Sequence, residues 1–112
     1  MSDEETLIKI KSIALQLFPG CKVILFGSRA RLVHNIDSDY DILVVIDKTL
    51  SSEEKMPFRT QIRKTLLSYG ILSDILIQSE QEISQKKQLT GHIVKTILQE
   101  GVAIWPLKRL NI

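Results

Sequence analysis

Cysteine is almost absent. Cys21 is the only one, so no intrachain disulfide can form, and without a Cys-His pair to activate it the thiol reads as a small packed hydrophobe. Aromatic residues make up 5% of the 112, and no interleaving of basic and aromatic side chains suggests stacking on nucleic acid. Neither sign of charge dominates: fifteen Lys and Arg against thirteen Asp and Glu leave a formal +2, which gives no tight grip on duplex nucleic acid. Long hydrophobic runs are missing as well. Ile42 to Ile46 is far too short to span a bilayer, and the opening Met1-Ser-Asp-Glu-Glu has neither the basic nor the apolar region of a signal peptide. With no repeat, low-complexity tract or linker, the expectation is one soluble, intracellular, cytoplasmic domain over residues 1–112 with no membrane contact.

What is present is an alternation of helix and strand signals. Ser2 with Glu5 forms a capping box ahead of a helix from about Asp3 to Phe18, with Leu7, Ile10, Ala14 and Leu17 at helical spacing, and Pro19-Gly20 stops it. Val23 to Phe26 is a wholly apolar run that reads as a strand buried on both faces. Gly27-Ser28 ends that strand and offers an N-cap to a short helix from Ser28 to about Val33. Asp39 to Ile46 reads as a second strand, with Asp39, Asp41, Leu43 and Val45 on one face and Tyr40, Ile42, Val44 and Ile46 on the other. Glu53 to Tyr69 reads as a helix once Pro57 is passed, carrying the stripe Phe58, Ile62, Leu66 and Tyr69 and ending at Gly70. A third strand, Ile71 to Gln78, is interrupted by Ser73-Asp74. Ser79 with Glu82 caps another helix, Ile93 to Leu98 marks a last one ended by Gly101, and Val102 to Trp105 closes as a strand. The fold class is α/β (α+β), a small mixed sheet flanked by helices.

Three groups of residues carry chemistry. Gly27-Ser28 at a strand-to-helix turn brings backbone N–H groups and a hydroxyl toward a phosphate, though the same pair also reads as a plain N-cap. Arg29 and Arg31 add fixed positive charge in that turn, and guanidinium pairs well with phosphate oxygens. Asp39 and Asp41 share one strand face roughly 7 Å apart at the backbone, where they converge on a divalent ion or simply end an apolar run as solvated acids. Asp74 interrupts an apolar run, either as an exposed edge residue or as the third member of a carboxylate triad beside Asp39 and Asp41. Such a triad can hold two metal ions, with Asp74 also able to accept a proton.

Gly27-Ser28, ten residues, then Asp39-Tyr40-Asp41 is similar to the Gly-Ser-x10-Asp-x-Asp signature of the DNA polymerase beta superfamily of nucleotidyltransferases. The surrounding Phe-Gly-Ser-Arg-Ala-Arg and Asp-Ser-Asp-Tyr-Asp-Ile-Leu-Val, with the Glu100-Gly101-Val102 ending, resemble its minimal nucleotidyltransferase (MNT) branch. One departure is Leu32, where that branch commonly has Gly, so the loop from Leu32 to Ile36 is expected to differ in shape. The resemblance implies a polymerase-beta-like core that transfers a nucleoside monophosphate from a nucleoside triphosphate. Gly27 and Ser28, with Arg29 and Arg31, would hold the triphosphate, and Asp39, Asp41 and Asp74 would hold Mg2+ and act in catalysis. In that branch, small chains pair with a HEPN-domain ribonuclease toxin and modify one of its tyrosines with AMP from ATP, so the chain is expected to be the antitoxin of a hetero-oligomer. Two alternatives stand beside it, an inert antitoxin that works by binding alone and a transferase acting on an RNA end or a small molecule.

The remaining candidates have blander readings. His34 reads as a solvated loop histidine, and His92, with no second His or Cys at ligand spacing, gives no zinc site. Tyr40 and Trp105 read as core or interface anchors, and Lys86-Lys87 as a solvated helix face.

Overall fold

The capping box at Ser2 forms as its spacing predicts. The Ser2 hydroxyl accepts from the Glu5 N–H at 3.1 Å, the Glu5 carboxylate accepts from the Ser2 N–H at 3.3 Å, and helix α1 runs Asp3–Leu17. The computed structural model describes residues 2–31, 38–89 and 91–106, so Leu32 and His34 lie outside the described residues. After α1 come β1 (Lys22–Phe26), α2 (Gly27–Ala30), β2 (Tyr40–Ile46), α3 (Ser52–Ser68), β3 (Ser73–Ser79), α4 (Glu80–Lys86), α5 (Ile93–Glu100) and β4 (Val102–Trp105). The same reciprocal box starts α3, from Ser51 and Glu54, and α4, from Ser79 and Glu82.

Some boundaries differ from the sequence expectation. Helix α3 begins at Ser52 and passes through Pro57. Proline leaves the Glu53 carbonyl without its helical donor, but both residues are exposed, so solvent can supply one. Ser73 and Asp74 open β3 instead of interrupting it. Tyr69 does not join the buried stripe: it is 50% exposed, with the Lys9 ammonium 4.3 Å from the centre of its ring.

The strands form one four-stranded sheet in the order β3-β2-β1-β4, with β1 antiparallel to both β2 and β4 and β2 parallel to β3. This is the mixed sheet flanked by helices that the alternation of signals predicts. Side chains alternate between its faces. On one face Val23, Leu25, Ile42, Val44, Ile75 and Ile77 pack against Ile10, Ile13 and Ala14 of α1 and Ile62 and Leu66 of α3. On the other, Ile24, Leu43 and Val45 meet Ile83 of α4 and Val94 and Ile97 of α5. Gly101 lets α5 end against β1, because a Cβ there would collide with the Ile97 carbonyl and the Ile24 side chain.

Polar groups fasten the helices. Lys55 of α3 donates to both oxygens of Glu82 at 3.0 and 2.9 Å. Burial works to raise the Glu82 carboxyl, but the Lys55 bond, the Ser79 N–H and the charges of Lys55 and Lys86 together hold it below its ordinary range. Lys86 is not simply solvated, since it donates to Gln78 at 2.7 Å, whereas Lys87 is exposed. No described helix is long and apolar enough to cross a membrane.

Candidate active site

The residues singled out by sequence lie at one end of the sheet, where β1 ends and β2 and β3 begin. Asp41 is the register partner of Asp74 on the parallel strand β3 and of Phe26 on the antiparallel strand β1. The same pleat that sends Leu43 and Leu76 toward α4 and α5 sends Asp41 and Asp74 to that face. Adjacent strands run about 4.8 Å apart, so two carboxylates in register on one face lie close together. Asp39 sits exposed, two residues before Asp41.

Gly27 follows Phe26 directly and has φ +74, the left-handed region. A Cβ built there would overlap the Asp41 carboxylate, so the absence of a side chain at 27 leaves room for the carboxylate against the turn. Asp41 itself is half-buried. Burial raises its carboxyl above the ordinary range, the negative charges of Asp74 and Asp39 raise it further, and Arg31 is the cation that works against them.

Helix α2 does not begin as its sequence suggests. Its N-cap is Phe26, with no side-chain capping bond, so Ser28 lies inside the helix and is not its cap. The first N–H groups of α2 are therefore not satisfied by a capping side chain.

The two arginines part company. Residues two apart on a helix point roughly 200° away from each other. Arg29 turns inward to the opposite face, where it is buried, donates to the Ser38 carbonyl at 2.8 Å, the Tyr40 hydroxyl at 3.1 Å and Asp3 at 3.2 Å, and stacks 3.9 Å from the centre of the Tyr40 ring. The structure thus corrects the placement of Arg29 in a phosphate cradle, because its guanidinium serves the packing of α1 against β2. Tyr40 completes that network by donating to Asp3 at 2.6 Å. Nothing in the local sequence marks Asp3 as a partner 26 residues from Arg29. Arg31 stays exposed, meets Glu100 of α5 at 3.5 Å, and borders a cleft of about 220 Å³ between Gly27 and the α5 residues Ile93, Thr96 and Glu100.

Hard oxygen donors at one end of the sheet, with Arg31 the cation beside Asp41 among the described residues, suit a divalent cation such as Mg2+. Among the described residues no three Asp, Glu, His or Cys side chains are drawn into a metal-sized group, while Asp41 and Asp74 stand in register on adjacent strands. His92 caps α5, its Nδ1 accepting from the Val94 N–H at 3.1 Å, and Cys21 is buried, with its thiol pushed up to about 11 by desolvation.

Comparison with known proteins supplies the wider setting. A family model described as a nucleotidyltransferase domain matches residues 7–105. A protein of Methanocaldococcus jannaschii named as a protein adenylyltransferase is 32% identical over 84 residues, covering 75% of this chain and 77% of that one. A toxin-antitoxin crystal structure with AMP-PNP superposes with a TM-score of 0.59 at 19% identity, covering 93% of this chain and 73% of that chain. A structure of a tri-AMPylated Shewanella oneidensis HEPN toxin in complex with an MNT antitoxin gives 0.58 at 18% identity, over 93% and 72%. At those identities the structural likeness speaks for the fold.

Proposed function

The chain belongs to the nucleotidyltransferase domain family, and we propose that within it this protein moves AMP from ATP to a tyrosine of a HEPN-domain toxin, acting as its antitoxin in a hetero-oligomer. The observation that carries this reading is the alignment of Asp41 with Asp74 on adjacent strands, beside a glycine whose missing Cβ makes room for the Asp41 carboxylate. The names of the M. jannaschii relative and of the structural neighbours support the choice of a protein acceptor.

Asp39, Asp41 and Asp74 would hold Mg2+, which when bound neutralises charge on the triphosphate and on the entering and leaving oxygens. Gly27 and Ser28 would bring the uncapped N–H groups of α2 to the phosphates, and Arg31 would pair with a phosphate oxygen. Asp74, exposed at the start of an edge strand, would accept the proton of the tyrosine hydroxyl as that oxygen bonds to the α-phosphorus. The bond from that phosphorus to the bridging oxygen breaks, and pyrophosphate leaves with the electron pair.

The test incubates the purified chain with Mg2+, α-labelled ATP and the HEPN-domain protein expressed with it. Label on the partner that disappears with Asp41→Asn is the expected result, and an unlabelled partner, with wild type and variant alike, would sink the reading. The alternative, neutralisation by binding alone, is separated from it by the same variant. If Asp41→Asn still neutralises the partner in cells, that second reading holds.

A further inference from the structure

Helix α3 carries a face that the core does not use. Met56, Thr60, Arg63, Lys64 and Leu67 follow one another at spacings of four, three, one and three, which places them on one stripe of the helix. None of the five is buried, and Met56 and Leu67 are 61% and 56% exposed. Thr60, Arg63, Lys64 and Leu67 form one wall of a groove of about 270 Å³, and Ile71, Leu72 and Ser73 form the other. Leu72 is 53% exposed, so two large apolar side chains face solvent across a surface that also carries two cations.

Its position matters as much as its composition. The second wall leads along the edge strand β3 to Asp74, roughly 7 Å along the backbone from Leu72; its side chain is on the sheet face opposite α3, so a segment seated in the groove reaches it by crossing the free edge of β3. No acidic residue lines the groove, and no ion pair found among the described residues uses Arg63 or Lys64. The other two basic side chains of α3 are engaged, Lys55 on Glu82 and Arg59 on the Ile75 carbonyl.

Resting on the adenylyl-transfer reading above, we propose that this groove docks the acceptor protein through an acidic, apolar segment, delivering its tyrosine to Asp74. The two cations pair with carboxylates of that segment while Leu67 and Leu72 receive its apolar side chains. A nucleic acid fits less well, because the walls between the cations are aliphatic and no aromatic ring lines them for base stacking.

The experiment uses the full chain and its HEPN-domain partner, with calorimetric affinity, label transfer from ATP and melting temperature as readouts. Arg63→Glu with Lys64→Glu, and separately Leu72→Asp, should weaken partner binding by about tenfold or more and raise the KM for the partner alike. The dissociation constant for ATP and the melting temperature should stay at wild-type values. Arg63→Lys should restore most of the affinity lost in Arg63→Ala. Wild-type partner affinity in both charge-reversed and Leu72 variants overturns the groove while leaving adenylyl transfer standing. Loss of binding in those variants, with no label transferred even by wild type, keeps the groove and overturns the transfer reading. A partner that wild type does not bind overturns the groove, as does a short single-stranded RNA that binds and is lost in the charge reversal while partner affinity is kept.

Discussion

Adjacent residues of β2, Tyr40 and Asp41, begin two different polar regions at the same end of the sheet. On the α1 face Tyr40, Arg29 and Asp3 bind one another, donor to acceptor and cation to anion. On the α4 and α5 face the negative charges of Asp74 and Asp39 act against that of Asp41, and Arg31 works the other way. A buried polar group with partners stabilises a fold, whereas like charges held together weaken it unless something else binds them. The first region is therefore part of the scaffold, and the second has the character of a site.

The comparison can be broken most sharply at Asp41. On the adenylyl-transfer reading, Asp41→Asn should reduce label transfer by about 100-fold or more, because it removes a carboxylate that would hold the metal, an interaction worth several kcal/mol in the transition state. The same variant should melt at or above the wild-type temperature at neutral pH. A variant that transfers normally, or that melts well below wild type, would place Asp41 with the scaffold.

Arg29→Met should behave in the opposite way. It leaves the Tyr40 hydroxyl and Asp3 without their cation and should cost about 2–3 kcal/mol in denaturant unfolding. The ATP dissociation constant of the folded fraction should be unchanged. Weaker ATP binding with unaltered stability would return Arg29 to the phosphate cradle.

Gly27→Ala acts on the second region, and more mildly. The left-handed backbone resists a side chain at a cost of about 1–3 kcal/mol, and the new methyl displaces the Asp41 carboxylate. Activity and stability should fall together, so an alanine variant with full activity would show that the Asp41 carboxylate does not need that space.

The smallest effect is in the pH dependence. The Asp41 carboxyl is raised in the fold, so the native state holds its proton more tightly than the unfolded chain, and stability falls as pH climbs from the ordinary carboxylate range through the raised value. Glu82 is lowered by its Lys55 and Ser79 bonds, so its contribution is present above the ordinary range and lost as pH falls through the depressed value. Asp41→Asn and Glu82→Gln should remove slopes of opposite sign from melting temperature against pH. Slopes of the same sign would dissolve the contrast.

Much of this was legible in the chain. The boxes at Ser2 and Ser79, the apolar Val23 to Phe26 run and the alternation along β2 each involve residues at most a few positions apart, and local geometry alone decides them. The start of α3 was less legible, because Pro57 reads as a barrier while the box at Ser51 and Glu54 lies ahead of it. The functions of Arg29 and Lys55 were not legible at all. Each depends on a carboxylate about 26 residues away, and no periodicity reports such a pairing.

The sequence by itself determined that Asp41 stands at the head of an apolar strand whose side chains alternate between two faces, that Gly27-Ser28 stands at a strand-to-helix turn, and that strands alternate with helices. Only the tertiary structure decided that Asp74 stands in register with Asp41, that Gly27 must lack a side chain to admit the Asp41 carboxylate, and that of two arginines in one turn Arg29 faces the core and Arg31 the cleft. The reason is physical. A side chain's direction follows from the backbone within one element, but its neighbours follow from strand register, which is fixed where β2 and β3 pair and their apolar residues pack under α3 on one face of the sheet.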